Sequence, residues 1–280
     1  MVNDRIACFL TCGYTEAGAM QFFLRKINDK FEYKQYLPNK TIKKKGDSKT
    51  IKPDISGLTG DALLEKVYTI LAKHKEEINT CKAVLIEDDL DGRFHNKSDE
   101  DIGTYKSNIV TQVRNILDNQ EMKVFLFFAS PEAEAWFIAD WENGFKSLYE
   151  SELVSDLSYS ERRFFVHNLK KYLSDQILKE YINDIEMYGY IGDKYFKLSD
   201  QIIHVVESDV KNYLVENNDN KIIAEKIKKS KYLYYSKKLH GDRMLKSILP
   251  QIIGKKCRHY FNSSYLELVK GGADAFLDLN

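Results

Sequence analysis

The 280-residue chain has no net charge, no apolar run of membrane-spanning length and only four cysteines. Without about 20 consecutive apolar residues it has no candidate transmembrane helix. The N-terminus carries no signal-peptide pattern, so we expect a cytoplasmic protein without a membrane role. Cys8, Cys12, Cys81 and Cys257 form no Cys-x-x-Cys pair and fit no zinc spacing, which suits a reducing compartment. The Gly-x-x-x-x-Gly-Lys-Ser/Thr phosphate loop is missing, so nucleotide hydrolysis is not expected from this chain. Cys12 has no arginine at phosphatase-loop spacing and no histidine nearby in sequence, which argues against a thiol nucleophile. The length accommodates one large domain, or a medium domain with an appendage, and a substantial core.

Against this background the stretch Cys81 to Gly92 stands out, because an apolar run of strand length ends in Glu87, Asp88, Asp89 and Asp91, four acids within five residues. Crowded carboxylates raise one another's pKa unless a cation sits among them. A hard divalent ion, Mg²⁺ or Mn²⁺, is the usual partner. Ala83 to Ile86 reads as a buried parallel strand, whose carboxyl end is where open α/β sheets place ligands. An acidic turn before a polar loop is the competing account of the same spacing.

The segments around it repeat a strand-then-turn pattern. Ile6 to Leu10 reads as a first strand, followed by the turn Cys12-Gly13-Tyr14-Thr15-Glu16 and a helix carrying Met20, Phe23, Leu24 and Ile27, with Thr15 as N-cap. Phe31 to Leu37 reads as an edge strand, and Pro38 to Gly57 as a solvated lysine-rich loop. Leu63, Leu64, Val67, Ile70 and Leu71 repeat at helical spacing; Arg93 to Thr104 reads as polar and mobile, and Ile109, Val110, Val113 and Ile116 mark a further helix. Lys123 to Phe128 is a third buried strand, ending in Ser130-Pro131-Glu132-Ala133-Glu134. Pro131 fits the first position of a helix, and capping of that helix is the bland explanation of Glu132 and Glu134. If the strands are parallel, their ends at Thr11, Glu87 and Phe128 lie side by side.

From Phe145 onward polar helices take over, with Leu153, Leu157, Phe164, Phe165, Leu169, Leu173 and Leu178 on their apolar faces. Within them the segment 221–259 holds twelve Lys and Arg against two acids, a net +10 that the rest of the chain balances. Lys228, Lys229, Lys237 and Lys238 alternate there with Tyr232, Tyr234 and Tyr235. That combination suits a nucleic-acid groove in which cations meet phosphates and rings stack on bases. A soluble lysine-rich helix pair is the alternative.

Three blocks together carry a resemblance: Cys-Gly-Tyr-Thr-Glu at 12–16, Asp-Leu-Asp at 89–91, and Ser-Pro-Glu-Ala-Glu-Ala-Trp-Phe-Ile-Ala-Asp at 130–140. They resemble the successive motifs of a Toprim domain, and more narrowly the small Toprim-like proteins of bacterial anti-phage systems, relatives of the catalytic part of the overcoming-lysogenization-defect nucleases. Tyr235 to Gly241 resembles a C-terminal block of that subgroup. The resemblance implies a Rossmann-like parallel sheet over 1–145 followed by a mainly helical region over 146–280. It further implies metal-dependent hydrolysis of RNA or DNA, a toxic role in defence, and an ABC-type ATPase partner. Asp89, Asp91 and Glu87 would be metal ligands, and Glu132, Glu134 or Glu16 a second-metal ligand or general base. Cys12 stands where the family has a glutamate, and sulfur is a poor substitute for carboxylate on Mg²⁺. A non-catalytic Toprim scaffold, acting as a binding or sensor subunit, therefore stays open, as does the nucleotidyl transfer of primases, which share the fold. Self-association is compatible with either reading.

Overall fold

The computed structural model describes residues 4–11, 13–38, 40–45, 48–53, 57–95, 97–191, 194–217 and 220–271. Cys12 lies outside the described residues. Four strands form one parallel sheet: β1 (Asp4–Phe9), β2 (Phe31–Leu37), β5 (Ala83–Asp89) and β6 (Lys123–Ala129), in the order β2-β1-β5-β6. The α/β expectation holds, and the strand ends fall side by side: Phe9 pairs with Ile86, and Asp89 with Ala129. β5 sits inside the sheet and is buried along its whole length, which explains its unbroken apolar run.

Period-two alternation decides what each face of the sheet meets. Ile6, Cys8, Leu85, Phe125 and Phe127 join a core with α1 (Glu16–Ile27) and the C-terminal helices. Ala7, Phe9, Val84, Ile86, Leu126 and Phe128 face α2 (Gly60–Lys73) and α4 (Asp99–Leu117), with the short α3 (Lys75–Ile78) between them in the chain. The result is a three-layer α/β arrangement. A ring cluster anchors the first face: Phe23 stacks on Trp136 at 5.5 Å, and Phe127 and Phe261 meet the same indole edge-on at 5.7 and 5.2 Å. Trp136 belongs to α5 (Glu134–Ala139), and Phe261 opens the last helix.

Residues 146–271 are mainly helical. α6 (Ser147–Glu150), α7 (Tyr159–Tyr172), α8 (Leu198–His204), α9 (Val210–Asn217), α10 (Lys221–Lys229), α11 (Asp242–Ser247), α12 (Pro250–Ile253) and α13 (Phe261–Val269) add buried residues to the core that β1, β5 and β6 use. Among the described residues no helix is long and apolar enough to cross a membrane.

Several local expectations need correction. The lysine-rich segment after Pro38 contains an antiparallel strand pair, β3 (Lys40–Lys45) with β4 (Ser48–Pro53), in which Ile42 pairs in register with Ile51; β-branched Thr41-Ile42 and Thr50-Ile51 favour extended backbone. Arg93 to Thr104 is not a free loop, because Ser98 and Asp101 form a capping box that starts α4 at Asp99. Pro131 follows a cis peptide bond and precedes the helix, which begins at Glu134. Leu153 and Leu157 lie in turns ahead of α7, whose start is set by a second capping box at Ser158. Thr15 holds the N-cap position of α1 but makes no capping bond. It is instead packed against Gly241, where an added Cβ would lie 2.3 Å from the Thr15 hydroxyl.

Candidate metal centre

Period-two alternation also sorts the acids of β5. Glu87 and Asp89 point to the α1 side, and Asp88 points the other way. Asp88 is satisfied there: the Gly60 backbone N–H donates to it at 3.0 Å and Arg93 at 2.5 Å. Arg93 is itself fixed by donating from Nε to the Leu90 carbonyl at 3.0 Å and from Nη1 to the Tyr105 hydroxyl at 3.2 Å. Asp88 therefore belongs to a structural ion pair, and only half of the acidic run remains for a cation.

On the α1 side, Glu16, Glu87 and Asp89 each bring a carboxylate oxygen within 4.8 Å of the others. Their exposures are 3, 0 and 7%. The Thr11 backbone N–H holds Glu87 Oε2 at 2.9 Å, and the Ala133 N–H holds Asp89 Oδ1 at 3.2 Å. Glu87 Oε1 has no hydrogen-bond partner among the described residues. Glu16 reaches the group from the first turn of α1 because residue 13 is glycine: a Cβ there would lie 2.3 Å from Glu16 Oε2. Burial pushes all three carboxyls up. Glu16 rises to about 7, with Glu134 and Glu132 adding to the effect of burial while its own backbone N–H and Lys237 oppose it. Glu87 and Asp89 are raised well above the usual carboxylate range by burial and then by Glu16.

The second pair of acids lies alongside and is provided for differently. Lys237 Nζ sits 2.9 Å from Glu132 Oε1 and 3.3 Å from Glu134 Oε2. Glu132 also accepts from the Ser199 backbone N–H at 2.9 Å and from its hydroxyl at 3.2 Å, so it caps α8 rather than its own helix. The Tyr235 hydroxyl donates to Glu134 Oε1 at 2.8 Å. Burial raises Glu134, whereas in Glu132 the effect of burial is outweighed by Lys237, the Ser199 N–H and Lys197, so its pKa falls. Lys197 stands at the rim, 3.6 Å from both Glu132 Oε1 and Asp91 Oδ1.

Of the candidates read from sequence, Glu16, Glu87, Asp89, Glu132 and Glu134 are brought together. Asp91 is not in the three-acid group. Its backbone turns to a positive φ of 50°, and its carboxylate accepts from the Thr59 hydroxyl at 3.3 Å. The aligned Cys12 position is undescribed.

The basic segment divides. Lys237 and Tyr235, expected in a groove, turn to the acids: Tyr235 is 2% exposed and bonds Glu134, and Lys237 bonds Glu132. Tyr234 is half-buried against the His240 ring at 4.9 Å. Lys228 and Lys229 are exposed on α10, Lys229 beside Glu225 at 3.4 Å, and Lys238 is exposed with its ammonium 5.5 Å from the Tyr14 ring. Sequence reasoning missed Lys197, Ser199 and Arg93, which carry no motif of their own. The block Tyr235 to Gly241 was the one legible sign that the second half of the chain reaches this site. No protein-family model, curated protein or solved structure matches the chain.

Proposed function

We propose that this chain is a divalent-cation-dependent phosphodiesterase acting on RNA or DNA, a Toprim-like variant of its α/β architecture. The observation that carries the reading is the buried trio Glu16, Glu87 and Asp89 with Glu87 Oε1 left unpartnered among the described residues, beside the carboxyl ends of parallel strands. An all-oxygen, all-carboxylate donor set fits Mg²⁺ or Mn²⁺ and not a soft metal. Glu16, Glu87 and Asp89 would hold the ion, which when bound polarises a phosphate oxygen and acidifies a water. Thr11 and Ala133 aim two of these carboxylates through backbone N–H bonds. Lys197, about half exposed at the rim, is placed to meet an incoming phosphate. Exposed Lys228, Lys229 and Lys238 would add sequence-independent attraction to the polyanion. The resemblance extends the proposal to a toxic effector of anti-phage defence working with an ABC-type ATPase.

A second reading is a non-catalytic scaffold. It draws on the closure of the trio, at most 7% exposed, and on Cys12 in place of the family glutamate. One experiment separates the two. Labelled RNA and DNA single strands are incubated with the protein and Mn²⁺ or Mg²⁺, beside Glu87→Gln and Cys12→Glu. Cation-dependent cleavage that falls at least about 100-fold in Glu87→Gln supports the nuclease, since even outer-shell partners are worth 10–100-fold. Cleavage that persists in EDTA or in Glu87→Gln refutes it. Cleavage absent from the wild type and gained only in Cys12→Glu favours the scaffold.

A further inference from the structure

The five clustered carboxylates fall into two groups that differ in what is left for a ligand. In the pair Glu132 and Glu134 every carboxylate oxygen has a partner. Glu132 Oε1 meets Lys237 at 2.9 Å and Ser199 Oγ at 3.2 Å, and Oε2 meets the Ser199 N–H at 2.9 Å. Glu134 Oε1 meets the Tyr235 hydroxyl at 2.8 Å, and Oε2 meets Lys237 at 3.3 Å. The trio keeps a wholly buried oxygen without a partner among the described residues, Glu87 Oε1. The lysines near the site, Lys197 and Lys237, spend their ion pairs on Asp91, Glu132 and Glu134.

We infer that Lys237 is a built-in cation: its ammonium fills the position between Glu132 and Glu134 that a second divalent ion would need, so the centre takes one divalent ion per chain, at Glu16, Glu87 and Asp89. This rests on the metal reading above and deepens it. The physical reasoning is charge balance in a dry site. Two carboxylates this close and this buried require a cation. A tethered ammonium supplies one without the cost of stripping Mg²⁺ of its waters. The tether is short and fixed, because Lys237 begins the wide helical turn Lys237–Gly241, which ends against Thr15 where only glycine fits. Lys237 is thus a positioning residue. It holds Glu132 and Glu134 in place while leaving the trio for the ion.

The test counts ions. Metal-free protein is equilibrated with Mn²⁺, and bound ions per chain are measured by native mass spectrometry and calorimetric titration. We expect one ion in the wild type, one in Lys237→Arg, one in the double variant Glu132→Gln, Glu134→Gln, none in Glu87→Gln, Asp89→Asn, and two in Lys237→Met. Should Lys237→Met be unfolded without metal, refolding by Mn²⁺ at two ions per chain supports the inference, and failure to refold at saturating Mn²⁺ overturns it. Two ions in the wild type, or one in a folded Lys237→Met, overturns the role of Lys237 while the metal reading stands. No ion in the wild type overturns both.

Discussion

Glu87, Asp88 and Asp89 are consecutive in one strand and almost equally buried, at 0, 1 and 7% exposure, yet they meet opposite environments. Asp88 turns toward α2 and α4 and finds Arg93 and the Gly60 N–H. Glu87 and Asp89 turn toward α1 and find each other and Glu16. Burial alone therefore does not mark a site. The same desolvation acts on all three, and the difference lies in whether the facing layer brings a cation. Where it does, the acid is structural; where it brings another acid, the described residues supply no ion pair, which is the motive for the proposed metal site.

The contrast can be broken from the structural side first. Arg93→Met should make Asp88 resemble its neighbours by leaving a buried carboxylate with only the Gly60 N–H. Removing one partner of a buried pair costs roughly 3–5 kcal/mol, and because Arg93 keeps 30% side-chain exposure the expected loss is near the lower figure, about 3 kcal/mol. Urea denaturation of metal-free protein measures it. A loss below about 1 kcal/mol, the level of a surface pair, would mean that Asp88 is not held by Arg93.

Proton linkage gives the next effect. Glu16 rises from 4.5 to about 7 on folding, so between those values the folded state binds more protons than the unfolded one. The Glu16 contribution to stability then falls as pH rises through this window, by at most about 1.4 kcal/mol per pH unit for one group, and Glu87 and Asp89, whose pKa values burial also raises, act in the same sense. Glu132, whose pKa is lowered, acts in the opposite sense only as pH falls below its usual 4.5, outside the window, whereas His240, lowered by burial from 6.5, opposes inside it, one histidine against the three raised acids. Thermal denaturation without metal should give a higher midpoint at pH 5 than at pH 7.5, and Mn²⁺ should narrow the gap because it binds the ionised trio. A midpoint that climbs with pH across this range contradicts the charge excess assigned to the trio.

The smallest expected effect is the most direct comparison of the two faces. Glu87→Gln removes a buried acid with no cation beside it, costly to bury in either protonation state, and should raise metal-free stability at pH 7.5 by about 1 kcal/mol. Asp88→Asn, the same one-oxygen-to-nitrogen exchange at the neighbouring position, should lower it because Arg93 loses its carboxylate. Equal signs for the two substitutions in the same denaturation assay would remove the distinction drawn here.

Much of this arrangement can be read before any coordinates. The apolar runs at Ile6 to Leu10, Ala83 to Ile86 and Lys123 to Phe128 mark buried parallel strands because both of their faces must be covered, and the acids that end them mark the sheet edge where ligands sit. Helix spacing around Leu63 and Ile109 is equally plain. The strand pair within 40–53 is hidden because lysine density masks a two-residue β-branched signal on each strand. Asp91 is hidden for another reason: an Asp-x-Asp pair looks like two equivalent ligands, but one left-handed residue turns the second carboxylate to Thr59 and Lys197.

What the sequence by itself determines is the strands of the parallel sheet, the acids at their ends and a one-sided store of positive charge between 221 and 259. What only the tertiary structure decides is which charge meets which. Lys237 and Tyr235 lie about a hundred residues from Glu132 and Glu134, and nothing in local spacing says that this basic stretch closes over the acids instead of facing solvent. Secondary structure follows from short-range periodicity, which any window of the chain displays. Charge neutralisation in a buried site follows from which layers pack together, and that is a property of the whole fold.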